Sequence, residues 1–343
     1  MKLKGKRILF ISPSFFEYEK SILQRMKELG ADVEFYDERP SNSNIFKGII
    51  RVYPALIQGK INRYYRNILQ QTKNKTYDCL LLIKGESIPL FFIPEFKKLH
   101  PKTPTIFYFY DTVWEYPRAL KLFPLFDVNY TFEPGDAVNY QLKFRPSFFV
   151  QEFQQNKTES EKTFDITFIG SAHTDRYHIG EKIQKAANQQ GLKTFMYYYA
   201  PNKFFFRMKR IFDKTMSSFD IKKVSFTRLS HTEVSKIYQR SFAVLDTNKP
   251  FQLGLSMRTF ETLAAGRKLI TTNPGIKKYP FYNPENILVI DRENPELPAS
   301  FFANPFVEIN PEYLEKLTLD DWLETVLSGQ SDKYWEDEIL KKI

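Results

Sequence analysis

The stretch Asp246 to Thr272, DTNKPFQLGLSMRTFETLAAGRKLITT, leaves this chain few architectures. An apolar strand ending near Asp246 runs through a polar loop containing Gly254 into a short helix from about Ser256 to Ala265. Gly266 stops the helix and a second apolar strand follows at once. Such a loop delivers backbone N–H groups to a helix start, where unsatisfied donors and the positive dipole end favour an anion such as a diphosphate. Arg258 adds a positive fork. Glu261, one turn later, suits a phosphate poorly but suits a sugar's hydroxyls well, because a carboxylate only accepts hydrogen bonds. The element reads as a grip for a nucleotide sugar.

A chain of 343 residues suits two domains of moderate size, each burying its own core. The single cysteine, Cys79, lies in the apolar run YDCLLLI and reads as a core residue, which excludes an intrachain disulfide and argues against a zinc cluster. The opening MKLKGKRILFIS has an apolar run too short for a signal peptide, and no uninterrupted apolar segment is long enough to span a bilayer. A soluble cytoplasmic protein is the expectation. The net charge of +10 suits nucleic acid, an anionic membrane surface or an acidic substrate, and does not choose among them.

From its start the chain alternates strand and helix. Arg7 to Ser12 is a buried strand, a helix runs from about Glu17 to Leu29, and Ala31 to Tyr36 is a second strand, a Rossmann-like opening. Its first loop, SPSFFEYE, lacks the glycine-rich dinucleotide fingerprint, which disfavours a nicotinamide or flavin enzyme. Between Glu38 and Asp78 there is no acid, while Lys47, Arg51, Lys60, Arg63, Arg66, Lys73 and Lys75 are interleaved with Phe46, Ile49, Ile50, Tyr53 and further apolar residues. Ile61, Tyr64, Tyr65, Ile68 and Leu69 share one helical face. The segment fits an amphipathic helix with a solvated basic face, a surface for anionic lipid headgroups or a charged lipid-linked acceptor, or both. Strands follow at Tyr77 to Lys84, Thr105 to Tyr110 and Asp127 to Phe132. Gly85-Glu86-Ser87 is expected to open a helix through Leu99. Ligands of parallel sheets collect beyond the strands' carboxyl ends, which makes Glu86, Asp111, Glu133 and the loop around Glu17 candidates for a cleft. Ser87 and Asp136 read as helix caps.

The aperiodic stretch QQNKTESEKT is the best linker. Phe164 to Ile169 then restarts the pattern and leads through Gly170, Ser171 and His173 to Arg176. The glycine permits close backbone approach and the arginine suits a phosphate. Strands at Lys193 to Tyr199, Val224 to Phe226 and Phe242 to Asp246 complete a second α/β half. The run KFFFRMKRIFDK, Lys203 to Lys214, is either a helix whose phenylalanines enter the core or a membrane-surface contact. The tail from Asn310 carries helical periodicity, with Asp320 and Asp321 near a start.

These features together resemble glycosyltransferases of the GT-B fold, and among them the group-one and CgeB-like types of bacterial surface-polysaccharide synthesis. The resemblance is carried by R-x-F-E-x-L-A-x-G at Arg258, Phe260, Glu261, Leu263, Ala264 and Gly266, and more weakly by F-I-G-S before Arg176, Tyr110 to Thr112 and Phe132 to Asp136. It implies two tandem Rossmann-like α/β domains facing a cleft: an acceptor domain over 1–153, a nucleotide-sugar domain over 154–318, and a helical segment over 319–343 crossing back to the first. It implies a nucleoside-diphosphate sugar as co-substrate, a UDP-sugar favoured, with no metal and no other cofactor. Glu261 would hold the ribose. Gly170, Ser171, Arg176 and the loop Gly254, Leu255, Ser256, Met257 and Arg258 would hold the diphosphate, and the base would lie near Thr227, Arg228 and Leu229. Many retaining members carry an acid eight positions before that glutamate, where this chain has Leu253, so retaining and inverting chemistry both stay open. An inverting enzyme needs a general base, for which Asp111, Glu86 and Glu17 are the candidates, with His173, His178 and His231 behind them. The implied acceptor is a lipid-linked or polysaccharide glycan met at the inner face of the cell membrane. Two other readings compete: a basic nucleic-acid-binding protein, and a GT-B module that has lost catalysis. The basic runs lie far from any nucleic-acid motif, so no nucleic-acid partner is expected.

Overall fold

Runs such as RILFIS, CLLLI and TIFYF are apolar on both faces, and a strand of that kind is stable only where helices cover the sheet on both sides. The computed structural model describes residues 3–43, 46, 54–154, 161–172, 175–212, 216 and 219–342. Lys47, Ile49, Ile50, Arg51 and Tyr53 of the basic segment, 155–160 of the linker, His173 and Lys214 lie outside the described residues. The chain divides into two units, Met1–Pro146 with Leu319–Ile343, and Ser147–Thr318.

The first unit holds β1 (Arg7–Ser12), β2 (Asp32–Asp37), β3 (Cys79–Ile83), β4 (Thr105–Phe109), β5 (Val128–Thr131) and β6 (Lys143–Phe144). They form one parallel sheet in the order β2-β1-β3-β4-β5-β6. Alternate residues Leu9, Ile11, Leu80, Leu82, Phe107 and Phe109 meet Ile61, Tyr65, Ile68 and Leu69 of the helix Gln58–Thr72 and Phe92, Ile93 and Phe96 of the helix Phe92–Leu99. Lys60, Arg63 and Arg66 face solvent, so this helix is amphipathic with a basic outer face. Tyr108 packs edge-on against Trp322 of the helix Leu319–Ser328. Arg25 grips Asp320 through two bonds of 2.6 Å, and the buried Arg145 reaches Asp321 at 3.0 Å and Asp332 at 3.5 Å. The tail helices Leu319–Ser328 and Lys333–Ile339 thus complete the first unit's core.

The second unit holds β7 (Phe164–Ser171), β8 (Thr194–Tyr199), β9 (Val224–Ser225), β10 (Ser241–Asp246), β11 (Lys268–Thr271) and β12 (Ile287–Val289). They too are all parallel, in the order β12-β11-β10-β7-β8-β9. Counted within the unit, this is the 3-2-1-4-5-6 order of a Rossmann fold, and its strand order reverses between β7 and β10. In the first sheet the reversal falls between β1 and β3. Both units therefore open a crevice at the carboxyl end of a named strand pair.

Three sequence expectations are corrected. Residues 84–91 do not open a helix, which starts only at Phe92, because buried partners hold the segment: the Ser87 N–H donates to Glu38 Oε1 at 2.5 Å and its hydroxyl to the Glu38 carbonyl at 2.6 Å. Ser87 is thus no cap. Nor is Asp136, which accepts the Val113 N–H at 2.8 Å, while Glu133 caps the helix Pro134–Tyr140. His231 opens the helix His231–Gln239, capped reciprocally by Ser230 and Glu233. No helix among the described residues is long and apolar enough to cross a membrane.

Candidate functional site

The second unit's reversal point is built around Asp246, the last residue of β10. An acid ending an apolar strand is buried with it, so it must be paired. Asp246 accepts from Arg258 Nη1 at 2.7 Å, the Ser256 hydroxyl at 2.8 Å and the Thr259 hydroxyl at 3.0 Å. Ser256 stands at the N-cap of the helix Met257–Ala264, and because its hydroxyl is turned to Asp246 the helix start carries no side-chain cap. The same helix ends at Gly266, whose φ of 62° is the left-handed conformation that closes a helix.

Arg258 also donates from Nε to the Ile169 carbonyl at 3.1 Å and lies over the Phe168 ring. This brings its guanidinium against Gly170: a Cβ there would sit 3.0 Å from Arg258 Nη2 and 2.7 Å from the Phe168 ring. Gly170 is needed for that close approach. Burial disfavours the Arg258 cation, and Asp246 and then Tyr238 outweigh it, so its pKa is raised. Arg176, which opens the helix Arg176–Gln189, feels the opposite balance. Burial first, then repulsion from Arg258, bring it down to about 10, with Asp246 and Asp175 opposing. Arg292, beyond β12, adds a third guanidinium, bonded to Asp175 Oδ2 at 2.6 Å and to Asn248 Oδ1 at 2.6 Å. Three guanidiniums thus gather beside a helix start without a side-chain cap, a grouping of donors that suits an anion.

The loop between β10 and this helix is shaped by two amides. Asn248 donates to the Gln252 carbonyl at 2.7 Å, and Asn273 donates to the carbonyls of Leu253 at 3.1 Å and Gly254 at 3.3 Å. Since each peptide is planar and trans, holding those two carbonyls on Asn273 turns the N–H groups of Gly254 and Leu255 to the other side. Leu255 and Met257 are buried beneath the loop. Glu261 is only 4% exposed and adds its negative charge to the surroundings of Arg258 and Tyr238. Ser171 ends β7 on the same edge of the sheet. Thr227, Arg228 and Leu229 follow β9 on that edge, with the Thr227 carbonyl accepting from the Tyr197 hydroxyl at 2.7 Å.

In the first unit two of the three candidate carboxylates, Asp111 and Glu86, lie around one lysine. Lys84, just past β3, is buried with a left-handed φ of 82°, its ammonium 3.3 Å from Asp111 and over the rings of Phe15 and Tyr116. Burial lowers its pKa, but Asp111 and Glu86 more than offset this and the net shift is upward. Glu86 is itself locked: Arg39 binds its Oε2 through both Nε, at 2.9 Å, and Nη2, with both side chains buried. Glu17 stands apart from these pairs, bonded to the exposed Lys20 at 3.0 Å. Phe16 and Glu17 are both left-handed, with φ of 51° and 68°. Three of the four non-glycine residues with positive φ among the described residues thus flank the β1/β3 reversal, each costing about 1–3 kcal/mol. Strain of that kind persists where the surroundings demand one particular backbone.

Sequence reasoning passed over Asp246 as a site residue, and also Arg292, Asn248, Asn273 and Lys84. A charge at the last position of an otherwise apolar strand was the available signal for Asp246; the others are set by partners distant in sequence. A groove of about 420 Å³ along the helix Arg176–Gln189 is lined by Glu181, Gln184, Lys185, Asn188 and Gln189 of that helix and offers no converging groups. Among the described residues no three His, Cys, Asp or Glu side chains are grouped to hold a metal ion.

No family model matches the chain, and no curated protein matches it by sequence. Among solved structures it is similar to a UDP-forming α,α-trehalose-phosphate synthase from Burkholderia vietnamiensis, at a TM-score of 0.54 and 11% identity over 99% of this chain and 100% of that one. It is similar to Anabaena HepE, solved with UDP and glucose, at 0.52 and 9% identity over 98% of each chain. A UDP-GlcNAc 2-epimerase from Methanocaldococcus jannaschii gives 0.52 and 9% identity, covering 94% of this chain and 99% of that one. At such identities the likeness shows the fold alone: two Rossmann-like units, the GT-B fold.

Proposed function

We propose that this protein is a glycosyltransferase that moves a sugar from a nucleoside-diphosphate donor, a UDP-sugar favoured, to a lipid-linked or polysaccharide acceptor such as lipopolysaccharide or capsule. The observation that carries the reading is the gathering of Arg176, Arg258 and Arg292 around a helix start without a side-chain cap at the β7/β10 reversal. The departing diphosphate is a dianion or more, and those groups neutralise it as the glycosidic bond breaks, so no metal is expected to be required. The amides of Gly254 and Leu255, with Gly170, Ser171, Ser256 and Met257 lining the approach, complete the diphosphate site. Glu261 accepts from the ribose hydroxyls, and the base lies along Thr227, Arg228 and Leu229.

The first unit takes the acceptor. Of its three carboxylates Asp111 is the best placed general base, since Glu86 is committed to Arg39 and Glu17 to a surface lysine. The Lys84 ammonium stands beside Asp111 and fixes its position, from which the carboxylate takes a proton from an acceptor hydroxyl. The reaction is set at the cytoplasmic face of the cell membrane, where lipid-linked acceptors are exposed.

The reading is tested by calorimetric titration of UDP, GDP and ADP into the wild type and the Glu261→Ala and Arg258→Met variants. Saturable binding of one nucleotide, weakened about tenfold or more by either substitution, is the expected result, a loss typical of a charge-assisted hydrogen bond. If Glu261→Ala bound every nucleotide as the wild type does, the ribose assignment would fall. Indifference of both variants would remove the donor site.

A further inference from the structure

The helix Lys203–Phe212 is turned inside out relative to an ordinary surface helix. Successive residues lie about 100° apart, so Phe204, Met208 and Ile211 form one stripe, with Phe205 at its margin, and Phe206 points to the opposite side. Phe206 enters the core, 4% exposed and set against the rings of Phe219 and Phe226. The stripe points outward. Phe204 is 66% exposed and Ile211 74%, and Phe205 and Met208 are exposed with them. The helix start is fixed by Asn202, whose Oδ1 accepts the N–H groups of Phe204 at 2.8 Å and Phe205 at 3.1 Å. The stripe is therefore presented by an ordered turn.

Four basic residues, Lys203, Arg207, Lys209 and Arg210, accompany it, and the helix has no acid. On the helical wheel Lys203, Arg207 and Arg210 border the stripe on one side and Lys209 on the other. Two copies meeting through this stripe would bring eight like charges together, which disfavours self-association. An anionic bilayer instead takes the apolar stripe at the boundary of its acyl chains and the flanking cations among its headgroups.

The geometry points to Lys203–Phe212 as a docking surface for anionic phospholipid bilayers. The docking rests on this helix alone and stands or falls apart from the donor-site reading. What rests on that reading is its consequence: the helix begins four residues past the end of β8, on the edge of the second sheet that carries the arginine cluster, so docking sets that edge against the lipid.

The test is co-sedimentation of the full chain with vesicles of phosphatidylcholine alone and of phosphatidylcholine with phosphatidylglycerol in a two-to-one ratio. Binding is expected only to the anionic vesicles and is expected to fall steeply with salt. A Phe204→Ser, Ile211→Ser double variant should lose about tenfold or more in partitioning. A Lys203→Gln, Arg207→Gln double variant should lose about thirtyfold, from roughly fivefold per basic residue. All four positions are surface ones, so nucleotide titration and circular dichroism should be unchanged in both variants. Equal binding to the two vesicle types, wild-type partitioning by either variant, or no binding at all would overturn the proposal. So would a concentration-dependent dimer, absent from the Phe204→Ser, Ile211→Ser variant, in a protein that ignores vesicles. Loss of vesicle binding with nucleotide binding intact separates this proposal from the donor site, and the reverse result separates it the other way.

Discussion

Neutralising Asp246 should unfasten the second unit. Its carboxylate is buried and answers one guanidinium and two hydroxyls within 3.0 Å, so Asp246→Asn keeps the shape while removing the charge that Arg258 is buried against. Breaking a buried pair from one side costs about 3–5 kcal/mol. Here the loss is compounded by Arg176, which is held against the same group of charges. For a unit of this size each kcal/mol moves the melting temperature by about 2–4 °C, giving a fall of roughly 6–20 °C. Circular dichroism or calorimetry must read it. Tryptophan fluorescence reports the other unit, because Trp114, Trp322 and Trp335 all belong to Met1–Pro146 and Leu319–Ile343. Arg258→Met, alone and combined with Asp246→Asn, closes a double-mutant cycle. If the two groups stabilise each other as an ion pair, the double variant is less destabilised than the sum of the singles, by about 2 kcal/mol or more. Additivity within about 0.5 kcal/mol would refute the reasoning, since each residue would then be acting through other neighbours.

Glu38 offers a pH test in the first unit. Burial pushes its carboxyl up to about 7, from an ordinary value of 4.5 that applies once the chain unfolds. Between those values the folded state binds the extra proton, so this group's contribution is fully favourable below about 4.5 and is lost as pH rises through 7. The loss amounts to about 3 kcal/mol. Glu38→Gln keeps an acceptor for the Ser87 N–H and cannot ionise. The variant should therefore gain stability over the wild type at pH 8 and not at pH 4, and an equal difference at both pH values in denaturant melts would contradict the assignment. Cys79 is buried and its thiol is pushed up to about 12, chiefly by burial. A thiol reagent should leave it untouched in the native protein and modify it on unfolding, and rapid native labelling would show that β3 is accessible.

The strand and helix alternation of both units was legible because a parallel strand buried on two faces has to be apolar throughout, and its ends are marked by glycine or acid. The helix Met257–Ala264 was legible for the same local reasons, with Gly266 as its stop. What escaped is what depends on partners far along the chain. Nothing near Glu86 announces that Arg39 occupies it, and nothing near Ser87 announces that Glu38 prevents a helix there. The aromatic run at Lys203 to Lys214 shows the limit most clearly. Periodicity places Phe204, Met208 and Ile211 on one face, but only the fold decides that this face points outward and that Phe206 is taken into the core. Arg258 and Glu261 were found from the motif, whereas Asp246, which positions Arg258, required knowledge of which strands are neighbours.

The return of residues 319–342 to the first unit sets an order of events during synthesis. The second unit is continuous in sequence and can close as soon as its last strand and helices have left the ribosome. The first unit cannot. While its first 146 residues wait, Arg145 lacks Asp321 and Asp332, Arg25 lacks Asp320, and the face of Tyr108 lacks Trp322. The unit whose strands are made first thus closes only after the second, and until residues 319–342 arrive the nascent chain carries an unfilled apolar surface and an Arg145 without the carboxylates of Asp321 and Asp332.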